Sequence, residues 1–261
     1  MLIVIRRRLW LRWFATLMAM VLAWQILDTA HPGWAARSMA TVANINRLLP
    51  IYSVEREDKV VALSFDAAWG ADHTDELLAI LKRENVRATF FLVGFWIEKF
   101  PELAYKIAQA GHEIGNHSST HPHMSTLTAE QIVTEIKHTH ALIEETTGQT
   151  AQLFRPPFGD YNNLLITTLT ALGYYTIQWS IDSLDWQRQA TAQSIYERVT
   201  SRIQSGDIVL FHNNAPYTRE ALLPIIITLK REGYAFVPIS ELLLREDSYI
   251  DKATGRQRRK R

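Results

Sequence analysis

The stretch that decides the fold is residues 60–66, Val-Val-Ala-Leu-Ser-Phe-Asp, a short apolar run that ends at an aspartate. Apolar runs of this length, rich in β-branched and aromatic residues, are typical of a buried strand in a parallel sheet. The run is followed by Thr74–Glu84, whose apolar residues recur with the period of an amphipathic helix. From Lys59 to Leu244 the chain keeps alternating between short strands and longer helical segments.

This alternation predicts seven strands and the helices between them. The predicted strands are Val60–Phe65, Ala88–Val93, His112–Gly115, Gln152–Phe154, Tyr175–Ser180, Asp207–Phe211 and Tyr234–Val237. The predicted helices are Thr74–Glu84, Glu102–Ala110, Ala129–Thr146, Asn162–Leu172, Ala192–Gln204, Thr218–Arg231 and Ser240–Leu244. Alternating strands and helices form parallel sheets, and seven such units in about 200 residues favour closure over an open sheet. We therefore predict an α/β fold, a distorted (β/α)7-type barrel spanning residues 59–245.

The N-terminal residues 1–27 have the order of a signal sequence. Basic residues precede an apolar run: Arg6, Arg7, Arg8 and Arg12 stand before Trp13–Leu27. This order predicts export, either through a cleaved signal peptide or with an uncleaved membrane anchor, and the sequence leaves the two open. We expect an extracytoplasmic protein, anchored in the cell membrane or secreted to the cell wall. The alternative, a buried helix, is disfavoured because four arginines beside it are costly to bury.

The segments that flank the predicted barrel carry no regular pattern. Residues 28–58 contain the breakers Pro32, Gly33 and Pro50, which indicates a linker. Residues 246–261 are polar and end in a basic cluster, which predicts a solvated tail.

Charge and cysteine content exclude several classes of function. Of the 28 basic and 27 acidic residues, the segment 51–250 holds 16 basic and 25 acidic ones. A nucleic-acid partner is therefore excluded, because phosphate backbones require a basic face. The chain has no cysteine, which excludes disulfides, thiolate metal sites and a cysteine nucleophile. We expect a monomer.

Polar side chains follow five of the seven predicted strands. They are Asp66, the pair His117 and His121, Arg155, the pair Asp182 and Asp185, and His212. Because the carboxyl ends of parallel barrel strands meet on one face, where barrel enzymes hold their sites, we expect these side chains to converge.

Each of these residues also has a structural interpretation. Asp66 suits a turn or a helix cap, and Arg155, on the stiff loop Pro156–Gly159, suits turn formation. The histidine pair His117 and His121 has a spacing that can hold a divalent metal, although such pairs also occur as surface residues. His212 ends an apolar strand, and a carboxylate partner, Asp182 or Asp185, would suit it to general acid work.

Six segments together resemble a known family in order and spacing. They are Ser64–Asp66, Ala88–Phe91, His117–Pro122, Arg155–Gly159, Asp182–Trp186 and Leu210–His212. These segments resemble the motifs of polysaccharide deacetylases of the NodB-homology type, carbohydrate esterase family 4, and the resemblance covers Lys59–Leu244. The first motif, Phe65–Gly70, is similar to that of the sporulation-associated branch of peptidoglycan deacetylases.

The resemblance implies metal-dependent removal of acetyl groups from an N-acetylated cell-wall glycan, peptidoglycan or chitin-like, with release of acetate. It implies that His117 and His121 bind a divalent metal, Zn²⁺ or else Co²⁺ or Mn²⁺. Asp66 matches the general base, which Arg155 holds ionised. The remaining roles are His212 as general acid with Asp185 as its partner, and Phe158, Trp186 and Leu210 as substrate-binding residues.

One departure from the family pattern concerns the metal. The family's third metal ligand is the aspartate directly after the base, where this chain has Ala67. Three repairs are open: Asp66 ligates the metal itself, Asp72 or His73 reaches in, or metal binds only with substrate. If none applies, the protein is a catalytically impaired glycan-binding cell-wall protein. A third hypothesis is a metal-dependent barrel hydrolase that acts on acetyl esters or small amides.

Overall fold

The computed structural model describes Trp13, residues 16–20 and residues 47–260. The chain divides into two compact units, Met1–Arg47 and Leu48–Arg261. In the first unit Trp13 and residues 16–20 are helical. Among the described residues, none of the helices combines the length and the apolar character that crossing a membrane requires. Most of the predicted signal or anchor segment and most of the predicted linker lie outside the described residues.

The second unit is built on one parallel sheet. In chain order the strands of the described residues are β1 (Ser53–Val54), β2 (Val60–Ala67), β3 (Thr89–Leu92), β4 (Glu113–Asn116), β5 (Leu153–Phe154), β6 (Tyr175–Thr176), β7 (Ile181–Asp182), β8 (Ile208–His212), β9 (Ala235–Phe236), β10 (Ser248–Ile250) and β11 (Arg256–Arg259). The main sheet has the order β6-β5-β4-β3-β2-β8-β7, and β9 also pairs with β2. Its pairs are all parallel.

The two ends of this sheet approach each other. The end strands β6 and β7 are separated in the chain only by residues 177–180. Ile51 bridges Ile177 next to β6, and Ser53 bridges Asp207 just before β8, so the segment 51–53 fills the gap. The sheet therefore closes into a distorted barrel, which confirms the predicted fold class.

Helices surround the barrel. Those of the second unit are α1 (Thr74–Arg83), α2 (Gly94–Lys99), α3 (Pro101–Gln109), α4 (Ala129–Thr147), α5 (Asn163–Ala171), α6 (Ala192–Thr200), α7 (Thr218–Arg231) and α8 (Ile239–Leu242). Helix α2 was not predicted, because its six residues are too few to show a helical period. The single predicted strand Tyr175–Ser180 was wrong: the structure has β6 and β7 on either side of residues 177–180.

Both flanks of the predicted barrel belong to the compact unit. Strands β1, β11 and β10 form a separate three-stranded sheet, with Ser53 opposite Arg256. The predictions of a solvated tail from residue 246 and of a linker over residues 48–58 were therefore wrong. The physical reason is that strand pairing is made by backbone groups, so a strand this short shows no hydrophobic pattern in the sequence. The one side chain of β11 that is buried, Gln257, is polar and forms hydrogen bonds with the backbone of Leu244.

The packing of Phe65 in the core fixes the direction of Asp66 at the end of β2. Phe65 stacks between Phe90 and Phe211, with ring centroids 4.8 and 5.5 Å away. Successive strand residues point to opposite faces, so the next residue, Asp66, is turned away from this aromatic cluster. Asp66 is the register partner of His212 on the neighbouring strand β8.

Candidate active site

Asp66 is held by a buried arginine. Arg155 is fully buried, and its Nη1 donates to Oδ1 of Asp66 at 2.7 Å. Its Nη2 donates to Oγ of Ser64 at 2.9 Å and to the carbonyl of Gln178 at 3.1 Å. The guanidinium also lies 4.2 Å from the ring centre of Phe91. The arginine is therefore fixed on several sides and presents one N–H to the carboxylate.

The surroundings keep Asp66 ionised. Burial is the largest single effect and would raise its pKa, but the positive charge of Arg155, then His117 and His212, and the bond from Arg155 together lower the pKa below its ordinary value. The second oxygen, Oδ2, lies 3.5 Å from Nε2 of His117. One carboxylate oxygen thus accepts from arginine, and the other is next to an imidazole.

His117 and His121 lie close together in a turn that follows β4. Their ring centroids are 5.0 Å apart, with the planes at 76°. Nδ1 of His117 lies 2.7 Å from the carbonyl of Arg155, which requires the proton on Nδ1 and leaves the Nε2 lone pair free. Nδ1 of His121 is buried without a hydrogen-bond partner. Burial lowers the pKa of His117, and burial followed by the charge of His117 lowers that of His121 to about 4.

This turn is not helical, and side chains outside it hold its backbone. His121 has a left-handed φ of 58°, and its N–H donates to Oγ of Ser118 at 3.1 Å. The Glu135 carboxylate on α4 accepts from the backbone N–H groups of Ser119 and Thr120 and from the Thr120 hydroxyl, each at 2.8 Å. The pairing of the histidines therefore depends on contacts that are remote in the chain.

The donors around His117 fit a divalent cation in part. Two ligands of a tetrahedral ion with bonds of ~2.0–2.2 Å lie roughly 3.3–3.5 Å apart, close to the distance between His117 and Asp66. The fixed Nδ1–H of His117 and the unpartnered Nδ1 of His121 also suit metal ligation. However, among the residues that the structure describes, no three His, Asp or Glu side chains converge as a complete metal site.

Ala67, at the position of the family's third metal ligand, offers no side-chain ligand atom in the structure. Ala67 is fully buried and belongs to the apolar core. His73 lies beside Glu76 and Arg219, and neither it nor Asp72 lines the cavity that holds Asp66. Of the repairs considered from sequence, the one by Asp72 or His73 was wrong, because the loop after β2 turns these residues away. Asp66 is the carboxylate that lies beside the imidazole pair.

His212 is bound to Asp185. Its Nδ1 lies 2.8 Å from Oδ1 of Asp185, and its backbone N–H donates to Oδ2 at 2.8 Å. Oδ2 also accepts from the Thr218 hydroxyl at 2.6 Å. Burial lowers the pKa of His212, but the bond and charge of Asp185, with smaller contributions from Asp66 and Asp182, outweigh it and raise the pKa. Asp185 thus favours the protonated form of the imidazole, and Nε2 is left for the cavity.

The site residues converge on one cavity of about 580 Å³. The sequence-predicted residues that line it are Asp66, His117, His121, Phe158, Asp182, Trp186, Leu210 and His212. Arg155 and Asp185 lie behind Asp66 and His212 as buried partners. Phe158 has φ 57° and stacks on His123 at 4.4 Å.

Sequence reasoning missed several residues of this cavity. Trp69, Trp179, Asn214, Ala215 and Pro216 also line it. Trp69, three residues after Asp66, and Asn214, two after His212, were detectable as neighbours of residues at strand ends. Trp179 was not detectable, because the sequence predicts it inside a strand.

A buried carboxylate bound by an arginine and an imidazole bound by a second carboxylate thus lie on adjacent strand ends of a parallel barrel and line one cavity. A family model described as polysaccharide deacetylase matches residues 53–177. The peptidoglycan-N-acetylglucosamine deacetylase of Bacillus cereus is 35% identical over 197 residues, which are 74% of this chain and 92% of that protein. The chain belongs to the polysaccharide deacetylase family, carbohydrate esterase family 4, a family of hydrolases that act on amide bonds.

Three further matches include a protein described as a pseudoenzyme. YlxY of Bacillus subtilis, described as an uncharacterized protein, is 38% identical over 194 residues, 74% of this chain and 60% of YlxY. The crystal structure of BA3943 from Bacillus anthracis, described as a CE4 family pseudoenzyme, matches with a TM-score of 0.71 and 37% identity, over 74% of this chain and 68% of that one. A mutant of BA3943 described as having restored enzymatic activity matches with the same TM-score and 38% identity, over 74% of this chain and 70% of that one.

Proposed function

We propose that the protein removes acetyl groups from an N-acetylated cell-wall glycan, peptidoglycan or chitin-like, by hydrolysis of the amide. The observation that supports this most is the pairing of Asp66 and His212 at one cavity, each bound to its own buried partner. The 35% identity to a Bacillus cereus peptidoglycan-N-acetylglucosamine deacetylase supports the substrate class.

The two groups have complementary roles. Oδ2 of Asp66, which Arg155 leaves free, accepts a proton from the attacking water as its oxygen bonds to the acetamide carbon. Nε2 of His212 then donates a proton to the sugar nitrogen as the carbon–nitrogen bond breaks. The products are acetic acid, which ionises to acetate, and a free amine on the sugar. Asp66 then loses its proton to solvent and His212 takes up a proton from solvent, which restores both groups.

The two imidazoles of His117 and His121 would hold a divalent metal, zinc or else cobalt or manganese. The chemistry that such an ion supplies when bound is polarisation of the acetamide carbonyl. Leu210 and Trp186 would contact the acetyl methyl group, and Phe158 would cover the sugar. The small apolar floor would exclude larger acyl groups by overlap.

A second candidate function is glycan binding without turnover. It is favoured by the apolar residue Ala67 at the position of the third metal ligand and by the 37% identity to BA3943, described as a pseudoenzyme. In this alternative the protein keeps the cavity and binds the glycan, but holds metal too weakly for efficient hydrolysis.

The location of the activity is part of the proposal. The basic and apolar N-terminal segment supports action outside the cytoplasm, with the segment retained as a membrane anchor or cleaved as a signal. We place a monomer at the cell wall, and the form of the first motif supports a role in spore-wall modification.

Acetate release during metal titration tests the proposal. The full chain is assayed on chitooligosaccharides, peptidoglycan fragments and acetylxylan, with His117→Ala as the control. Metal-dependent acetate release from the N-acetylated substrates is the expected result. Glycan binding without acetate release at saturating metal would favour the second candidate, and release from acetylxylan alone would favour an esterase.

A further inference from the structure

We propose that Trp69 is a sugar-binding platform next to the reacting site, which stacks on the sugar adjacent to the one that loses its acetyl group. This inference rests on the proposed function and assigns a role to a residue that the acid–base machinery does not use. The partner chemistry is a neutral, N-acetylated glycan whose rings offer an apolar face.

Exposed aromatic side chains concentrate at the cavity. Among the described residues from Leu48 onward, the three most exposed large apolar side chains are Phe158 (61%), Trp69 (59%) and Trp186 (57%). All three line the cavity that holds Asp66. Large apolar surface in water is unfavourable, and a cluster of it around polar groups marks a binding site. A ligand that covers these rings on binding accounts for their exposure.

Trp69 is presented in a fixed position. The carbonyl of the next residue, Gly70, accepts from Nε1 of Trp96 at 2.7 Å and from Nδ2 of Asn213 at 3.2 Å. Gly70 has a left-handed φ of 66°, and an added Cβ would lie 3.3 Å from Cβ of Asn214. The loop therefore cannot easily change shape. A rigid aromatic surface binds a ring with little loss of conformational entropy.

The indole is supported on the protein side only. Its ring centre lies 5.2 Å from that of Phe95 and 5.7 Å from that of His121. The contact with His121 places the platform directly beside the imidazole pair. A sugar stacked on Trp69 is therefore a neighbour of the sugar whose acetamide faces Asp66.

Trp69 and Trp186 follow strands that are not neighbours in the sheet. Trp69 follows β2 and Trp186 follows β7, and β8 lies between these two strands. At ~4.8 Å per strand, the ends of β2 and β7 are roughly 10 Å apart along the sheet, more than one pyranose ring covers. Phe158 and Trp69 both contact the ring of His121, with ring centroids 4.5 and 5.7 Å from it. An oligosaccharide that crosses the rim can contact more than one platform.

The test compares binding of a single sugar and of a tetramer. Titration calorimetry measures the affinity of the full chain for N-acetylglucosamine and for its β-1,4-linked tetramer, in the wild type, Trp69→Ala and Trp69→Phe. Tyr105→Ala is the matched control, because Tyr105 is exposed but does not line the cavity. We expect Trp69→Ala to weaken tetramer binding about ten-fold with the monomer unaffected, Trp69→Phe to lose less, and Tyr105→Ala to lose nothing.

Equal weakening of monomer and tetramer, or unchanged tetramer affinity in Trp69→Ala, would overturn the inference. Acetate release, measured on the same samples, separates it from the proposed function. If tetramer binding depends on Trp69 but no acetate is released, the inference about Trp69 stands and the proposed catalysis is rejected. Acetate release that is the same in wild type and Trp69→Ala keeps catalysis and rejects the platform.

Discussion

Asp66 and His212 are register partners on the neighbouring parallel strands β2 and β8. Their backbones are therefore one strand spacing apart, and their side chains line the same cavity. Each has a separate buried partner, Arg155 for the aspartate and Asp185 for the histidine. The proposed base and the proposed acid are thus each held by their own partner, and each also favours the charged form of the other.

The first prediction concerns the pH dependence of turnover. Because Asp185 raises the pKa of His212, the histidine keeps its proton to higher pH, and activity falls as pH rises through this raised value. In Asp185→Asn burial dominates, the pKa falls, and the alkaline limb of the kcat profile moves to lower pH. Asp182→Asn is the control and shifts the limb less. An alkaline limb that does not move in Asp185→Asn would remove His212 as the acid.

The second prediction concerns stability. Arg155→Met leaves the Asp66 carboxylate buried and unpaired, which lowers the free energy of unfolding by about 3–5 kcal/mol. The lowered pKa of Asp66 contributes stability above its unfolded pKa, and this is lost as pH falls through the folded value. Urea unfolding at neutral pH measures the loss. The double variant with Asp66→Asn should recover part of it, and no recovery would contradict the ion-pair explanation.

The third prediction separates site histidines from others. His117→Ala and Asp66→Asn each abolish acetate release, because one removes an imidazole of the pair and the other removes the base. His73→Ala retains activity, since His73 lies beside Arg219 and Glu76 outside the cavity. Activity that survives His117→Ala, with the fold intact by circular dichroism, would reject the mechanism.

The fourth prediction concerns the missing ligand. Ala67→Asp supplies a third protein ligand and raises the affinity for zinc at least about ten-fold in titration calorimetry. Because Ala67 packs in the core, thermal unfolding is measured in parallel to verify the fold. The gain should vanish when His117→Ala is added. A folded Ala67→Asp variant with unchanged zinc affinity would show that residue 67 does not reach the imidazole pair.

The fifth prediction concerns Glu135, which binds the turn between the two histidines. Its carboxylate accepts from Ser119 and Thr120. Glu135→Gln replaces one acceptor oxygen by a donor, loosens the turn and weakens zinc binding about ten-fold. Glu145→Gln, at an exposed position on the same helix, leaves it unchanged. Equal zinc affinity in Glu135→Gln and the wild type would show that the turn holds itself.

The barrel and the strand-end residues were predictable because their signals are local. Apolar runs such as β8 mark buried parallel strands, and the residue after each run lies at the rim by geometry. The choice between Asp182 and Asp185 could not be made from the residues alone. It depends on the left-handed φ of 57° at Leu184, which turns the loop so that Asp182 accepts from the Leu184 N–H while Asp185 reaches His212.

Other features were missed because they depend on distant partners. Strand β11 is highly charged, and its pairing with β1 on one side and β10 on the other makes it a strand. The exposure of Trp69 is equally invisible in sequence, since indoles are usually buried, as Trp96 is. Both features follow from tertiary contacts that periodicity does not encode.

Non-glycine residues with left-handed backbone cluster in the loops of the site: Ser118, His121, Phe158 and Leu184. Each such residue costs of order 1–3 kcal/mol, so these loops depend on the rest of the barrel to hold their shape. A synthetic peptide that spans His117 and His121 would relax and lose the geometry of the pair. The histidine turn alone therefore cannot be moved to another protein scaffold with its geometry intact. The contacts that hold these loops would have to be moved with it.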